Sequence, residues 1–236
     1  MGSVNSIESM ALLDGPGVRC AVFLNGCKLR CKYCHNPEMW NMLDDNMSKE
    51  ELVKKIKRFE PYFKKNGGVT FSGGEALLQK DYLIEVCKEL KKDNIHICLD
   101  TAGVGIPPYE ELLKYVDLIL LDIKHTDKDE YKELTGMDIK YVEEFIKVIN
   151  KLDKKVWIRQ VIIPGYNDNI DYINSLNTYI KRINNIEKIE FLPYHSMAKE
   201  KYDSLGIDYV YKDLPDMDKK KCDKLYKEFI KIYKGD

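Results

Sequence analysis

The stretch RCAVFLNGCKLRCKYC, residues 19–34, joins an apolar run to three closely spaced cysteines. The run Arg19–Gly26 is almost continuously apolar, which is typical of a parallel strand that is covered on both faces. Cys27, Cys31 and Cys34 begin directly where this strand should end. The stretch therefore predicts a buried strand that leads into a metal-binding or redox loop.

Five further runs of the same character follow along the chain. They are predicted as strands at Gly68–Gly73, His96–Thr101, Asp117–Ile123, Val156–Ile163 and Lys188–Pro193. Six βα-like units without a break in composition predict one α/β domain over residues 1–236. Right-handed crossovers curl such units toward a barrel. Because a complete TIM barrel has eight strands, we expect an open, partial (β/α)6 TIM-like barrel with the cysteine loop after its first strand.

Amphipathic stretches between the strands predict helices. One of them begins with Ser48 and has Glu51 three residues later, the pattern of a capping box. Apolar residues at helical spacing define three stripes: Leu52, Ile56, Phe59 and Phe63; then Ile173, Leu176, Ile180 and Ile183; then Cys222, Leu225, Tyr226, Phe229, Ile230 and Tyr233. Each stripe predicts one helix face that packs on the sheet.

Chemically useful side chains recur at one place in these units, at or just beyond the end of each strand. They are Cys27, Gly73–Glu75, Asp100–Thr101, Asp122–Lys124, Arg159 and Pro193–His195. Barrel enzymes of this type carry their active sites at the C-terminal ends of the strands. The recurrence therefore predicts one site that is assembled from several strand ends.

Composition excludes several classes of function. The 236 residues contain 38 Lys+Arg and 39 Asp+Glu, for a net charge of −1, which gives no electrostatic footprint for nucleic acid. No apolar run reaches the length of about 18 residues that a membrane helix needs, and the start has no signal-peptide pattern. We therefore expect a cytoplasmic protein. Four of the seven cysteines lie in apolar patterns and are predicted as core residues: Cys20, Cys87, Cys98 and Cys222.

The three remaining cysteines admit three interpretations. A thioredoxin-like pair would use Cys31 and Cys34 but would leave Cys27 unexplained. A structural zinc site needs four ligands, and the one local candidate, His35, follows Cys34 too closely to chelate the same ion easily. A 4Fe–4S cluster can be held by three thiolates at CxxxCxxC spacing, which leaves one iron free to bind a small molecule.

Motifs along most of the chain resemble the radical S-adenosylmethionine (SAM) superfamily, and in particular its activating enzymes of glycyl radical enzymes. They are DGPGVRCAVFLNGCKLRCKYCHNPEMW, VTFSGGEALLQ, LDTAG, LLDIKH, RQVIIPGYND and LPYHSMAKEKY, in this order between Asp14 and Tyr202. Within the family, the likeness is greatest to the members that serve pyruvate formate-lyase. No further cysteine lies between Cys34 and Gly68, so the chain resembles the short members with a single cluster.

The resemblance implies roles for individual residues. It assigns Cys27, Cys31 and Cys34 to the cluster. It assigns SAM binding to Tyr33, Asn36, Gly73, Gly74, Glu75, Asp100, Lys124 and His195, and a monovalent cation site (Na⁺ or K⁺) to Asp100, Thr101 and Asp122. Asp14, on a flexible loop, His35 and Arg159 are assigned to the side that meets the substrate. Two alternatives stay open from the residues alone: Tyr33 as an ordinary loop aromatic, and Thr101 as a helix cap.

The implied activity is radical chemistry on another protein. In the family, an electron from the cluster cleaves SAM, and the 5′-deoxyadenosyl radical takes a hydrogen atom from a backbone glycine of the partner. Flavodoxin or ferredoxin would supply the electron, in an anaerobic cytoplasm, to a monomer. The rival interpretations are a radical SAM enzyme for a small molecule, such as a deazapurine synthase, and a non-enzymatic metal-binding module.

Overall fold

The computed structural model describes residues 1–235, and a seven-stranded sheet lies at its centre. The strands are β1 (Val4–Ala11), β2 (Arg19–Leu24), β3 (Gly68–Gly73), β4 (His96–Thr101), β5 (Leu118–Asp122), β6 (Val156–Ile162) and β7 (Ile186–Pro193). They lie side by side in chain order, and β2 to β7 are all parallel. Within the described residues β1 and β7 remain the two edges, so the sheet forms an open, partial barrel as predicted.

Nine α-helices connect and cover the strands in the described part of the chain. They are α1 (Lys49–Lys57), α2 (Glu60–Phe63), α3 (Lys80–Lys91), α4 (Glu110–Leu113), α5 (Lys128–Thr135), α6 (Lys140–Lys151), α7 (Ile170–Ile180), α8 (Lys199–Leu205) and α9 (Lys219–Lys234), with single 3₁₀ turns at Pro37–Met39 and Ala76–Gln79. The capping box of Ser48 and Glu51 is confirmed at the start of α1. Over residues 1–235 no helix combines the length and the apolar content that crossing a bilayer requires.

Two predicted details of secondary structure are wrong. The stripe that was expected to form one helix is divided between α1 and α2, because the chain leaves helical hydrogen bonding after Lys57. The sheet also has a strand that was not predicted, β1, which pairs antiparallel with β2. The cysteine loop therefore follows the second strand of the sheet, although this is the first strand of the parallel set.

The loop between β1 and β2 enters the barrel and is fixed there by its own carbonyl groups. The Thr70 hydroxyl, on β3, donates to the Asp14 carbonyl over 2.6 Å. Arg159, on β6, donates to the Leu13 carbonyl. Arg19, at the start of β2, donates to the Pro16 carbonyl over 3.0 Å. We call residues 12–18 the plug loop, because its carbonyl groups are bonded to β2, β3 and β6, while the Leu12 and Leu13 side chains stay exposed.

Below the plug loop, the interior is closed by apolar side chains. Cys98, Leu118 and Leu120 are buried together, and Trp157 packs against them. Cys98 and the three other cysteines with predicted core positions are all buried, as expected. The N-terminal end of the barrel is therefore filled by the plug loop and these side chains.

Candidate active site

A cavity of about 340 Å³ opens at the C-terminal ends of the strands. Most of the predicted site residues line it: Asp14, Cys27, Cys31, Tyr33, Cys34, His35, Asn36, Gly73, Gly74, Asp100, Thr101, Asp122, Lys124 and Arg159. Two predicted residues, Glu75 and His195, do not line it. The polar residues that recur at the ends of five parallel strands, and on the loops that follow them, thus line one cavity.

The cysteine loop is built on the end of β2 and forms one wall of the cavity. Its start is fixed by a hydrogen bond of 3.0 Å from the Cys27 amide to the Trp40 carbonyl. Its end turns back through a bond of 3.0 Å from the Cys34 amide to the Cys31 carbonyl. All three predicted thiols face the cavity.

Burial keeps these thiols protonated when no metal is bound. It raises the pKa of Cys27 to about 12, with the Glu75 carboxylate adding to the effect. It also raises the pKa of Cys31 to about 12 and that of Cys34, although the Asn36 amide and the Trp40 indole donate to the latter sulfur and oppose the rise. Iron must therefore displace these protons when it binds.

The geometry of the thiols fits a cluster better than a single ion. Within residues 1–235 no three His, Cys, Asp or Glu side chains converge as ligands of one ion would. A structural zinc site requires four ligands around one point. A 4Fe–4S cluster takes its thiolates at separate iron atoms, so three thiols that line a cavity without converging are suited to it.

Gly73 and Gly74 join β3 to the base of the cysteine loop. A Cβ atom on Gly73 would lie 2.2 Å from the Leu24 amide nitrogen, and one on Gly74 would lie 2.4 Å from the Gly26 carbonyl oxygen. Gly73 also has φ of +115°, a conformation that side chains disfavour. The two glycines line the cavity, but the close approach that requires them is to the backbone of β2 and its loop.

The Glu75 carboxylate is used by the protein itself. It is 1% exposed and accepts hydrogen bonds from the Thr101 hydroxyl and from the amides of Leu77, Ala102 and Val104. Burial raises the pKa of Glu75, against the effect of these bonds. Glu75 therefore positions the loop after β4, because four donors of the chain surround its two oxygens. The contact of Glu75 with an ammonium group stays a prediction.

The opposite wall of the cavity carries a buried carboxylate with one free oxygen. Asp100 Oδ2 accepts from the Ser72 hydroxyl over 2.7 Å and lies 3.6 Å from Arg159 Nη1. Asp100 Oδ1 is buried and has no hydrogen-bond partner among the described residues. Burial raises the pKa of Asp100, and Arg159 opposes this rise. Since buried carboxylate oxygens are normally paired, this atom marks a position for a donor from a ligand.

Asp122 and Lys124 form a second polar pair on the same wall. Lys124 Nζ donates to Asp122 Oδ2 over 2.8 Å and lies 5.6 Å from the centre of the Tyr33 ring. Burial alone would lower the pKa of Lys124, but Asp122 and Tyr33 outweigh it and raise the pKa well above its usual value. The Tyr33 hydroxyl is itself buried without a partner in the described chain. Lys124 is therefore a fixed positive charge at the cavity.

The three residues predicted to bind a monovalent cation have different contacts within the chain. The Thr101 hydroxyl donates to Glu75 and accepts from the Gly103 amide over 2.9 Å, so it is engaged as a cap and a positioning group. Asp122 is paired with Lys124. Of the three predicted ligands, Asp100 has a buried oxygen that remains without a partner among residues 1–235.

His35 and His195 form a stacked pair at the rim. Their ring centres are 3.9 Å apart, and His35 Nε2 donates to the His195 carbonyl over 3.0 Å. Burial and the neighbouring His195 lower the pKa of His35 to about 4, so its ring is neutral at pH 7. His195 backs His35 instead of lining the cavity. Asn36 lines it, while its side-chain oxygen accepts from Lys201 over 2.9 Å.

Sequence reasoning missed two functional positions. Ser72, inside the SGGE motif, holds Asp100 by its hydroxyl, and its place at the end of β3 was the available signal. Trp40 closes the first long motif and lines the cavity beside Cys34. No periodicity or spacing distinguishes this tryptophan from an ordinary core residue.

Comparison with known proteins agrees with this arrangement. Residues 21–176 match the model of the radical SAM superfamily. The chain is 51% identical over 229 residues to the pyruvate formate-lyase-activating enzyme of Clostridium pasteurianum, covering 96% of each chain. It is 42% identical over 223 residues to the enzyme of the same name from Staphylococcus aureus, covering 90% of this chain and 89% of that one.

A solved structure shows the same fold at low sequence identity. Streptococcus suis SuiB, in a crystal structure bound to S-adenosylmethionine, superposes with a TM-score of 0.62 at 19% identity, over 87% of this chain and 45% of that one. The matched family model and the two close relatives lead to one conclusion. The chain belongs to the radical SAM superfamily and, within it, to the family of the pyruvate formate-lyase-activating enzymes.

Proposed function

We propose that this chain activates a glycyl radical enzyme, pyruvate formate-lyase, by removing a hydrogen atom from one backbone glycine. When bound, a 4Fe–4S cluster and SAM supply the electron transfer and the 5′-deoxyadenosyl radical that this abstraction needs. The observation that carries the proposal is the cavity, which is lined by three thiols and by the charged side chains of Asp100, Asp122, Lys124 and Arg159. The 51% identity to the Clostridium pasteurianum enzyme supports the choice of partner.

The cysteine loop has the task of holding the cluster. Cys27, Cys31 and Cys34 are the thiols of the cavity, and burial raises the pKa of each, so a metal that binds them must displace their protons. With three protein ligands, one iron remains open toward the cavity. SAM would bind at this iron.

The opposite wall has groups that match the charges of an amino acid. Asp100 Oδ1, buried and without a partner in the described chain, is suited to accept from the SAM ammonium group. Lys124 and Arg159 carry buried positive charge for its carboxylate. Tyr33 and Asn36 lie beside the thiols, where they would contact the rest of SAM. Gly73, Gly74, Glu75 and His195 would also belong to the SAM site, where Glu75 supports the loop after β4 and His195 supports His35.

The rim would orient the glycine of the partner. Asp14 on the plug loop, His35 and Arg159 line the cavity and would offer polar groups to a peptide backbone. A glycine has no side chain to hold, so backbone contacts must position it. Phe23, Val161 and Leu192 line the same space and exclude water from it.

Several further features belong to the proposal. Flavodoxin or ferredoxin would donate the electron, the setting would be an anaerobic cytoplasm, and the chain would act as a monomer. Residues 1–236 would form one functional domain, whose last residue lies outside the described part of the structure. A monovalent cation would join Asp100 and Asp122 beside SAM. Exchange of Na⁺ and K⁺ for a large organic cation tests this last point, since activity should then fall.

One experiment tests the central proposal. The reconstituted enzyme, dithionite and SAM are mixed with pyruvate formate-lyase whose glycines carry deuterium. We expect a glycyl radical signal in electron paramagnetic resonance (EPR) and deuterium in the released 5′-deoxyadenosine. Cleavage of SAM without either result, with label transferred from a small metabolite instead, would assign the chain to the small-molecule enzymes.

A further inference from the structure

The outer surface of the cysteine loop is built differently from its inner surface. From Cys27 to Lys32 the side chains alternate between the interior and solvent. Cys27, Leu29 and Cys31 face inward and line the cavity. Lys28 and Arg30 are exposed and Lys32 is partly exposed. The side of this loop that faces away from the thiols is therefore basic, and we call Lys28, Arg30 and Lys32 the outer face.

Most of this positive charge is not neutralised. Lys32 pairs with Glu133 over 2.6 Å, and this glutamate is 65% exposed. Lys28 and Arg30 have no carboxylate within 4.0 Å in the part of the chain that the structure describes. Because the whole chain has a net charge of −1, a local surplus of positive charge on one loop is not a reflection of its composition.

The Arg30 guanidinium and the backbone of this loop are also held in place. The Arg30 guanidinium donates to the carbonyls of Cys27 and Leu29, and it lies 4.9 Å from the centre of the Trp40 ring. The amides of Arg30 and Lys32 donate to the carbonyls of Thr135 and Leu134 over 2.7 and 2.9 Å, at the end of α5. A fixed array of charges loses little entropy on binding, so it is suited to recognise a surface.

The position of the outer face relates it to electron entry. The cavity side of the loop is needed for SAM and for the glycine of the partner. Consecutive Cα atoms are about 3.8 Å apart, so each outer side chain is attached one residue away from a thiol or from Leu29. An electron carrier on the outer face would come close to the cluster without competing for the cavity.

We propose that the outer face is the docking surface for a small acidic protein that carries one electron, such as a flavodoxin. This inference rests on the proposed function, which requires such a donor. In the complex, the reduced donor loses one electron and the cluster gains one, and no bond is made or broken. Complementary charge would act mainly on the rate of association.

The test compares two lysines in the reconstituted holoenzyme. Lys28→Glu reverses a charge on the outer face, and Lys181→Glu makes the same change at the exposed residue after α7. Reduced flavodoxin is mixed with each protein under anaerobic conditions, and cluster reduction is followed by absorbance and EPR. For Lys28→Glu we expect a second-order rate about tenfold lower at low salt, with a difference that shrinks as salt is added. For Lys181→Glu we expect the wild-type rate.

Two further measurements make the result decisive. Reduction by dithionite should be the same in all three proteins, and so should iron content; Lys28→Gln replaces Lys28→Glu if the latter fails to retain the cluster. Equal flavodoxin rates in the Lys28 and Lys181 variants would overturn the docking surface. The readout needs no pyruvate formate-lyase, so a failure to form a glycyl radical with dithionite would count against the proposed function alone.

Discussion

The barrel encloses two buried arginines, one at each end, and their surroundings differ. Arg19, at the N-terminal end, is fully buried and donates to Thr70 and to the carbonyls of Pro16, Val69 and His96. It has no carboxylate within 4.0 Å in the described chain, and burial lowers its pKa. Its bonds go almost entirely to the backbone.

Arg159, at the C-terminal end, lies among carboxylates that are not fully satisfied. It is 3.6 Å from Asp100 and 3.5 Å from Glu190, and its Nε has no hydrogen bond in well-formed geometry within residues 1–235. Burial lowers its pKa, but the attraction of Asp100 and its neighbours outweighs this and raises it. A buried cation whose bonds are complete maintains structure, whereas one beside unpaired atoms leaves room for a ligand.

The largest expected effect is on cluster content, in cysteine variants at the two ends of the barrel. Cys27→Ala, Cys31→Ala and Cys34→Ala should each remove the cluster completely, because three thiolates are its only protein ligands. Cys98→Ala, in the closed end, should keep it. Iron and sulfide analysis after anaerobic reconstitution measures this. A cluster that survives any of the first three changes would refute the ligand assignment.

The next effect compares the two arginines directly. Arg19→Met leaves several backbone acceptors buried without donors, and we expect the free energy of unfolding to fall by about 3 kcal/mol. Arg159→Gln should lower it by less than half of this amount, while it weakens binding of SAM or peptide. Urea unfolding of the apoprotein provides the first quantity. Equal losses of unfolding free energy in the two variants would show that the two arginines stabilise the fold to the same extent.

A third effect concerns carboxylates at the two ends. Asp100→Asn should weaken SAM binding about tenfold without changing the iron content, because a charge-assisted hydrogen bond is lost. Asp117→Asn is the control: its carboxylate accepts from Lys91 and from the Ile97 amide at the other end of the sheet. The measurement is the equilibrium affinity of both variants for SAM. An affinity of Asp100→Asn equal to that of the wild type would show that Asp100 does not bind SAM.

The smallest expected effect concerns His125, which stabilises the fold although it lies near the C-terminal ends of the strands. His125 packs against Tyr166 and Tyr172, and its Nδ1 accepts from the Asp127 amide over 3.1 Å. Burial lowers the pKa of His125, so the folded state binds its proton less readily than the unfolded state. Stability from this group is therefore present above about pH 6.5 and is lost as the pH falls below that value.

His125→Asn should accordingly lose less stability than the wild type between about pH 7.5 and about pH 5.5, the range that brackets the ordinary histidine pKa. The difference between their urea midpoints at the two pH values isolates the histidine from other acid-titrating groups. SAM binding should be unaffected. A variant as acid-sensitive as the wild type would show that the histidine does not contribute.

The sequence was sufficient for the parallel strands but not for the edge of the sheet. The six parallel strands are continuous apolar runs, a pattern typical of strands that are buried on both faces, and their ends agree to within two residues. β1 is mostly exposed, and polar and apolar residues do not alternate clearly along its sequence VNSIESMA. Such a strand forms because β2 offers a free edge, which is a tertiary cause that local pattern does not contain.

The same limit applies to the site. Spacing was sufficient to find Cys27, Cys31 and Cys34, because ligands on one loop are close in sequence. The sequence did not predict that the Glu75 carboxylate accepts from amides of the loop after β4. Arg19 was seen only as a strand residue. Which donors surround a buried group depends on how distant segments pack, and one sequence alone does not specify this.

The plug loop has a kinetic consequence. Since it and the apolar side chains beneath it occupy the N-terminal end of the barrel, the cavity opens at the C-terminal ends of the strands. Under the proposed function, the glycine of the partner would enter at the end where the products of SAM cleavage also leave. Because partner and products would share this opening, a bound partner would slow the release of methionine and 5′-deoxyadenosine.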